Sequence, residues 1–128
     1  MTQATALRTA AILGFLAVAL GALGAHALKE TLSAHGTAAI WEKAVFYHFV
    51  HALMLYVLAA RSGSGSGPWW CFLSGILIFS GSLYLLAFTN VRWLGAITPI
   101  GGLSFLAGWL WLALKPLVDK GSRDCTHP

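Results

Sequence analysis

Residues 9–28 read Thr9-Ala10-Ala11-Ile12-Leu13-Gly14-Phe15-Leu16-Ala17-Val18-Ala19-Leu20-Gly21-Ala22-Leu23-Gly24-Ala25-His26-Ala27-Leu28, twenty residues without one Asp, Glu, Lys or Arg. A helix needs about 20 apolar residues to cross the hydrocarbon core of a bilayer. A charge at its centre costs about 2.5–3.5 kcal/mol. This stretch therefore reads as a membrane span. Three more charge-free gaps follow at 44–60, 62–91 and 93–114, of 17, 30 and 22 residues. Four gaps of spanning length predict an all-α, integral membrane protein, an antiparallel bundle of four transmembrane helices.

Composition points the same way. Of 128 residues, 58% are hydrophobic and 9% are charged, whereas a soluble domain carries about 25% charged residues. So few charges cannot wet the surface of a globular domain this small. Disorder requires the opposite composition, low hydrophobicity with high charge. The net charge of +4 does not indicate a nucleic-acid partner. Such binding needs a clustered basic face, and Arg8, Lys29, Lys43, Arg61, Arg92, Lys115, Lys120 and Arg123 are spread along the chain.

The spacing places the helices at about 8–28, 38–60, 69–89 and 93–115, within a membrane domain of residues 1–118. A polar, flexible tail follows at 119–128. Gly36 followed by Thr37 offers a break and then an N-cap for the second helix. The stretch from Ala38 to Lys43 either continues that helix or lies on the membrane surface. Ser62 to Pro68 has the composition of a flexible linker. Asn90-Val91-Arg92 is a tight turn, so helices three and four are expected to be antiparallel neighbours. Arg8, the apolar run and Ala25-His26-Ala27 imitate a signal peptide, but the run is long for one.

Four spans put both termini on one side with Arg8, Arg61, Lys115, Lys120 and Arg123. Lys29, Lys43 and Arg92 are on the other. The excess of basic residues predicts a multi-pass protein of the cytoplasmic (inner) membrane, N-in and C-in. Cys71 and Cys125 then lie near the reducing side, and no disulfide is expected. Trp41, Trp69, Trp70 and Trp93 fall at helix ends and read as interface anchors. Trp109 and Trp111 are deeper and read as packing or lipid contacts.

At 100° per residue, Gly14, Ala17, Gly21 and Gly24 share one face of the first helix. Small residues on one face let two helices approach closely. The contact is open to two readings, within the chain or between chains. In the second helix, Ala44, His48, His51, Ala52, Leu55 and Ala59 share one side, and Phe46, Phe49, Val50, Leu53 and Val57 the other. Both histidines are therefore expected to look into the bundle. Thr98-Pro99 can be read two ways. Pro99 sits at the first helical position behind a Thr98 cap, or the helix starts near Trp93 and Pro99 kinks it.

His48, His51, Ser80, Ser82, Tyr84 and Thr98 all fall in the half of the bilayer away from the termini. This intramembrane polar layer is the candidate site, since ionisable residues in a span are functional candidates. The plainest reading is that the histidines bond neighbouring hydroxyls or a carbonyl freed by Pro99, and pin the helices together. A metal, haem or quinone site has two imidazoles at i, i+3 but no Cys, Asp or Glu at their depth. Transport lacks a mid-membrane acid, and nucleophilic catalysis lacks a carboxylate to orient a base. No catalytic, metal-binding or cofactor-binding residue is assigned, and no cofactor is expected. The expected partners are the lipid bilayer and a further copy or another membrane protein.

The motifs resemble a known family. Gly21-Ala22-Leu23-Gly24-Ala25-His26-Ala27-Leu28 is similar to its first signature. Trp41, Ala44-Val45, Tyr47-His48 and His51-Ala52-Leu53 are similar to its second. Phe79-Ser80-Gly81-Ser82-Leu83-Tyr84 with Leu94-Gly95-Ala96-Ile97-Thr98-Pro99-Ile100-Gly101-Gly102 is similar to its third. The family is domain of unknown function 423, the YgdD-like and transmembrane protein 256-like small membrane proteins. The resemblance spans about residues 6–115. It implies four helices in the inner membrane with a cytoplasmic C-terminus, and no established activity. The family pattern has Gln where this chain has His48, which leaves His51 the stronger family-wide candidate. The function expected is that of a non-enzymatic accessory or assembly partner in the membrane. The alternative is a small-solute or proton carrier, or a redox, quinone or metal-site protein using the His layer.

Overall fold

The computed structural model describes residues 1–62 and 66–115, and among them every regular element is helical. Helix α1 covers Gln3–Ala25, α2 Lys29–His35, α3 Ala38–Ser62, α4 Gly67–Gly75, α5 Gly81–Thr89 and α6 Thr98–Leu114. A π turn at Ile76–Ser80 joins α4 to α5, and a 3-10 turn at Arg92–Ala96 precedes α6. Four segments are long and apolar enough to cross a membrane: Gln3–Ala25, Ala38–Arg61, Gly67–Thr89 and Arg92–Leu114. The protein is an all-α, four-span membrane bundle. The linker is shorter than its composition suggests, since Ser62 ends α3 and Gly67 and Pro68 begin α4; residues 63–65 and 116–128, with the whole polar tail and Cys125, lie outside the described residues.

Several boundaries follow from local chemistry. Helix α1 starts at Gln3 because the Thr2 hydroxyl accepts from the Thr5 backbone N–H. This is an N-cap, several residues ahead of Arg8. The Ala38–Lys43 stretch continues α3 and does not lie apart from it. The short α2 fills the connection between the first two spans, where the spacing predicts no helix. Gly36 ends α2 at φ +65°, a left-handed position that glycine adopts at little cost. The Thr37 hydroxyl donates to the Ala87 carbonyl at 2.7 Å. That carbonyl lies in the last turn of α5, where no helical N–H is left to meet it. Pro99 occupies the first turn of α6, where its missing N–H does no harm. The residue at the cap is Ile97 and not Thr98, and no side chain caps it.

The four spans are not equally enclosed. In the second and third, 39% and 44% of the apolar window is buried, against 17% in the first and the last. The arrangement is a central pair flanked by two outer helices. Helix α1 packs chiefly on α3, and α6 packs on α4 and the π turn. In lipid there is no hydrophobic drive between helices, so close packing and hydrogen bonds must hold such a bundle. One core cluster near the termini holds Ala6, Leu55, Leu58, Trp69, Phe72 and Phe105. A smaller one at the opposite end holds Leu32, Trp41 and Ala87.

The tryptophans divide by position. Trp70 and Trp93 are exposed, as anchors would be. Trp41 and Trp69 are buried, at 5% and 1% exposure, and serve packing. The reason is visible at Trp41, whose indole lies on Gly24 and donates its N–H to the Leu20 carbonyl at 2.9 Å.

Candidate functional site

The inward face of α3 carries Ala44, His48, His51, Ala52, Leu55 and Ala59, all buried. Phe46, Phe49, Leu53 and Val57 on the opposite face are exposed. A 25-residue helix with this pattern turns its small and polar side to its neighbours. Ser80 and Ser82 are also buried, and the half-buried Thr98 faces Ser82 from α6.

The polar side chains meet in separate pairs rather than in one connected layer. His48 Nδ1 and the Tyr84 hydroxyl share a hydrogen bond of 3.1 Å. Ser80, in the π turn, donates to the Ala44 carbonyl of α3 at 2.9 Å. Ser82 bonds the Thr98 hydroxyl at 2.8 Å and also donates to the Phe79 carbonyl at 3.0 Å. His51 joins none of these. Its Nδ1 donates to the Tyr47 carbonyl at 2.7 Å, and its Nε2 accepts from the Trp109 indole N–H at 3.2 Å. The indole can only donate and the carbonyl can only accept, so the imidazole holds its proton on Nδ1.

His51 sits in an aromatic box. Its ring stacks on Phe105 with centroids 3.6 Å apart, and Phe72 and Trp109 close two further sides. Both its nitrogens are occupied. His48 differs in one atom: its Nε2 is buried and has no hydrogen-bond partner, although the backbone of Leu13 in α1 lies close to the ring. Tyr84, which holds the other nitrogen, is itself packed edge-on against Trp41.

Further bonds between helices lie outside the candidate layer that the sequence points to. Ser74 and Ser104 join α4 to α6 at 2.7 Å, and Ser104 also donates to the Cys71 carbonyl. Trp109 is the partner of His51. A signal for it exists: eleven residues after Thr98 is close to three full helical turns, so both lie on one face of α6. Among the described residues no group of three or more His, Cys, Asp or Glu could hold a metal ion.

The small residues of α1 are used unequally. Ala17 is fully buried. A Cβ on Gly24 would run into the Trp41 indole, and one on Gly21 would reach Val45 at 3.3 Å. Gly14 faces open space. Above this seam α1 and α3 leave a lateral groove of about 500 Å3.

A model of the family described as "Protein of unknown function (DUF423)" matches residues 20–102. The chain belongs to this family. Its relatives include a UPF0382 membrane protein of Staphylococcus epidermidis, 49% identical over 115 residues, which cover 87% of this chain and 93% of the relative. Another, from Staphylococcus haemolyticus, is 48% identical over 82% of this chain and 88% of its own length. The Bacillus subtilis membrane protein YwdK is 41% identical over 81% of this chain and 89% of its own. No solved structure gives a significant match. This DUF423 chain is thus a multi-pass membrane protein, and its family description states no activity.

Proposed function

We propose that this DUF423 protein is a non-enzymatic accessory or assembly partner of the cytoplasmic membrane, with both termini inside. The observation that supports this is how its intramembrane polar groups are used. His48 with Tyr84, Ser82 with Thr98, Ser80 with Ala44, and His51 with Trp109 each tie one helix to another. Groups spent in this way stiffen a scaffold and leave little to move a proton or hold a substrate. The outer faces of α1 and α6, by contrast, are apolar and largely unburied. The partner is another membrane protein or a further copy of this chain. Affinity purification of the full chain in a gentle detergent, followed by mass spectrometry, is expected to recover such a protein in fixed proportion. Recovery of the chain alone, both in detergent and in polymer-extracted native membrane, would sink the proposal. Reporter fusions at the two termini test the orientation: both should be active only with a reporter that works in the cytoplasm.

The rival reading is a small-solute or proton carrier, or a redox, quinone or metal-site protein. One observation favours it, the unpartnered His48 Nε2. It predicts a bound metal or a visible absorption band in protein purified without chelator, or a flux in liposomes that His48→Phe abolishes. Protein that is colourless, free of metal and inactive in flux removes it.

A further inference from the structure

The groove between α1 and α3 has three properties that together specify an occupant. It lies within two membrane spans, in the half of each nearer α2. It runs along the helices. On α3 its lining extends from Ala38 to Val50 and on α1 from Ala17 to Ala25, which at 1.5 Å per residue is about 18 and 12 Å. One leaflet of a bilayer with a hydrocarbon core near 30 Å is about 15 Å deep. The lining is apolar along this depth, with Ala17, Ala22, Val45 and Phe49 among its walls. Glu42 is the one ionisable side chain in that lining, and it lies toward the end where α3 begins.

We infer that the groove seats one acyl chain of a phospholipid whose head group carries an ammonium, with the Glu42 carboxylate as its counter-ion. The groove is about as long as one leaflet is deep and has an apolar lining, which suits a hydrocarbon chain, and its carboxylate stands toward the end where α3 begins, at the level of a lipid head group. The charge selects among lipids. A carboxylate at the membrane interface attracts an ammonium head and repels a head group bearing only a phosphate. The Trp41 indole is locked between Gly24 and the Leu20 carbonyl, so the floor of the groove is fixed before a lipid arrives. This inference does not depend on the accessory role: a partner protein can fail to appear and the lipid site still stand.

The test uses the purified full-length chain, a gentle detergent and native mass spectrometry. Phosphatidylethanolamine and phosphatidylglycerol with identical acyl chains are added together. The wild-type chain is expected to retain one phosphatidylethanolamine, preferred about 1.5- to fivefold, the range of one exposed ion pair. Glu42→Gln should bring the ratio to one. The ratio is read within a single sample, so it does not depend on how much of the variant folds. Ala22→Phe, which fills the groove from an exposed position, should remove both adducts. Three results would overturn the inference: no adduct on the wild type, equal retention of the two lipids by the wild type, or an adduct that survives Ala22→Phe. A lipid-free dimer that Ala22→Phe dissociates would assign the groove to a second copy and overturn it as well.

Discussion

Glycines line two helix seams in this protein, and the two seams came out differently. Between α4 and α6, Gly75 receives the Phe105 ring and Gly108 the Phe72 ring. Gly101 lies against the backbone of Phe79 itself, inside the π turn. Between α1 and α3 only Gly24 receives an aromatic ring. A Cβ on Gly21 would meet a methyl of Val45 at 3.3 Å, and one on Gly14 would meet nothing within 4 Å. A row of small residues is therefore half of a seam. Where a large ring stands opposite, the row becomes a set of sockets. Where the opposite residue is short, the same row becomes the wall of a groove. In a bilayer each missing contact is filled by lipid, so an open seam persists without the cost that an exposed apolar cleft carries in water.

The sharpest way to break this contrast is Gly101→Ala. The new methyl would meet the Phe79 backbone, which has no rotamer to change, so the π turn and α6 must part. The expected cost is the upper part of the overpacking range, about 1–3 kcal/mol, read as a lower midpoint of unfolding in mixed micelles. A midpoint equal to wild type would mean that the third and fourth spans are not in this register. Gly24→Ala is expected to cost less, because the group it meets is a side chain. The Trp41 indole can swing away, at the expense of its bond to the Leu20 carbonyl and its edge contact with Tyr84. Fluorescence checks this directly: with the other five tryptophans replaced by Phe, the Trp41 emission should shift when Gly24 is changed.

How much of this was legible in the sequence differs between the fold and the site. Charge-free gaps mark all four spans, because the bilayer penalises a misplaced charge by an amount no local packing can hide. Helical spacing likewise puts His48 and His51 on the buried side of α3. The pairing of the polar groups was not legible. It depends on the π turn at Ile76–Ser80, which adds a residue to one turn and rotates everything after it. That rotation helps to set which residues Ser80, Ser82 and Tyr84 meet, and nothing in Ile76-Leu77-Ile78-Phe79-Ser80 announces it. Trp41 and Trp69 are buried and not interfacial anchors for a related reason. A tryptophan near a helix end looks like an anchor until the glycine or core beneath it is known.

The two histidines extend the comparison to hydrogen bonds. His51 has both nitrogens engaged, and His48 has one. Trp109→Phe removes the donor to His51 Nε2 while keeping a ring in the aromatic box. Interhelical hydrogen bonds in membranes contribute about 0.6 kcal/mol on average and up to about 1.7, so the loss should be smaller than for Gly24→Ala. The effect should also be local. Nitrogen-15 spectra of labelled histidine should show the His51 Nε2 resonance moving and that of His48 unchanged. If both move together, the polar groups form one coupled layer after all.

Gly14→Ala is the smallest effect and the cleanest control. Its Cβ would meet no atom within 4 Å, although it lies on the same α1 stripe as Gly21 and Gly24. If small residues on this stripe were all contact points, alanine here would cost stability like its neighbours. If contact is set by what stands opposite, the midpoint should stay within about 0.5 kcal/mol of wild type, as for substitutions away from any packed feature. A modest gain is consistent with the same account, since glycine inside a helix is up to about 1 kcal/mol worse than alanine. A loss comparable to Gly24→Ala in a purified monomer would mean that α1 packs more tightly than this arrangement allows. A loss seen only in native membranes would place a protein partner on that open part of α1, one turn below the groove.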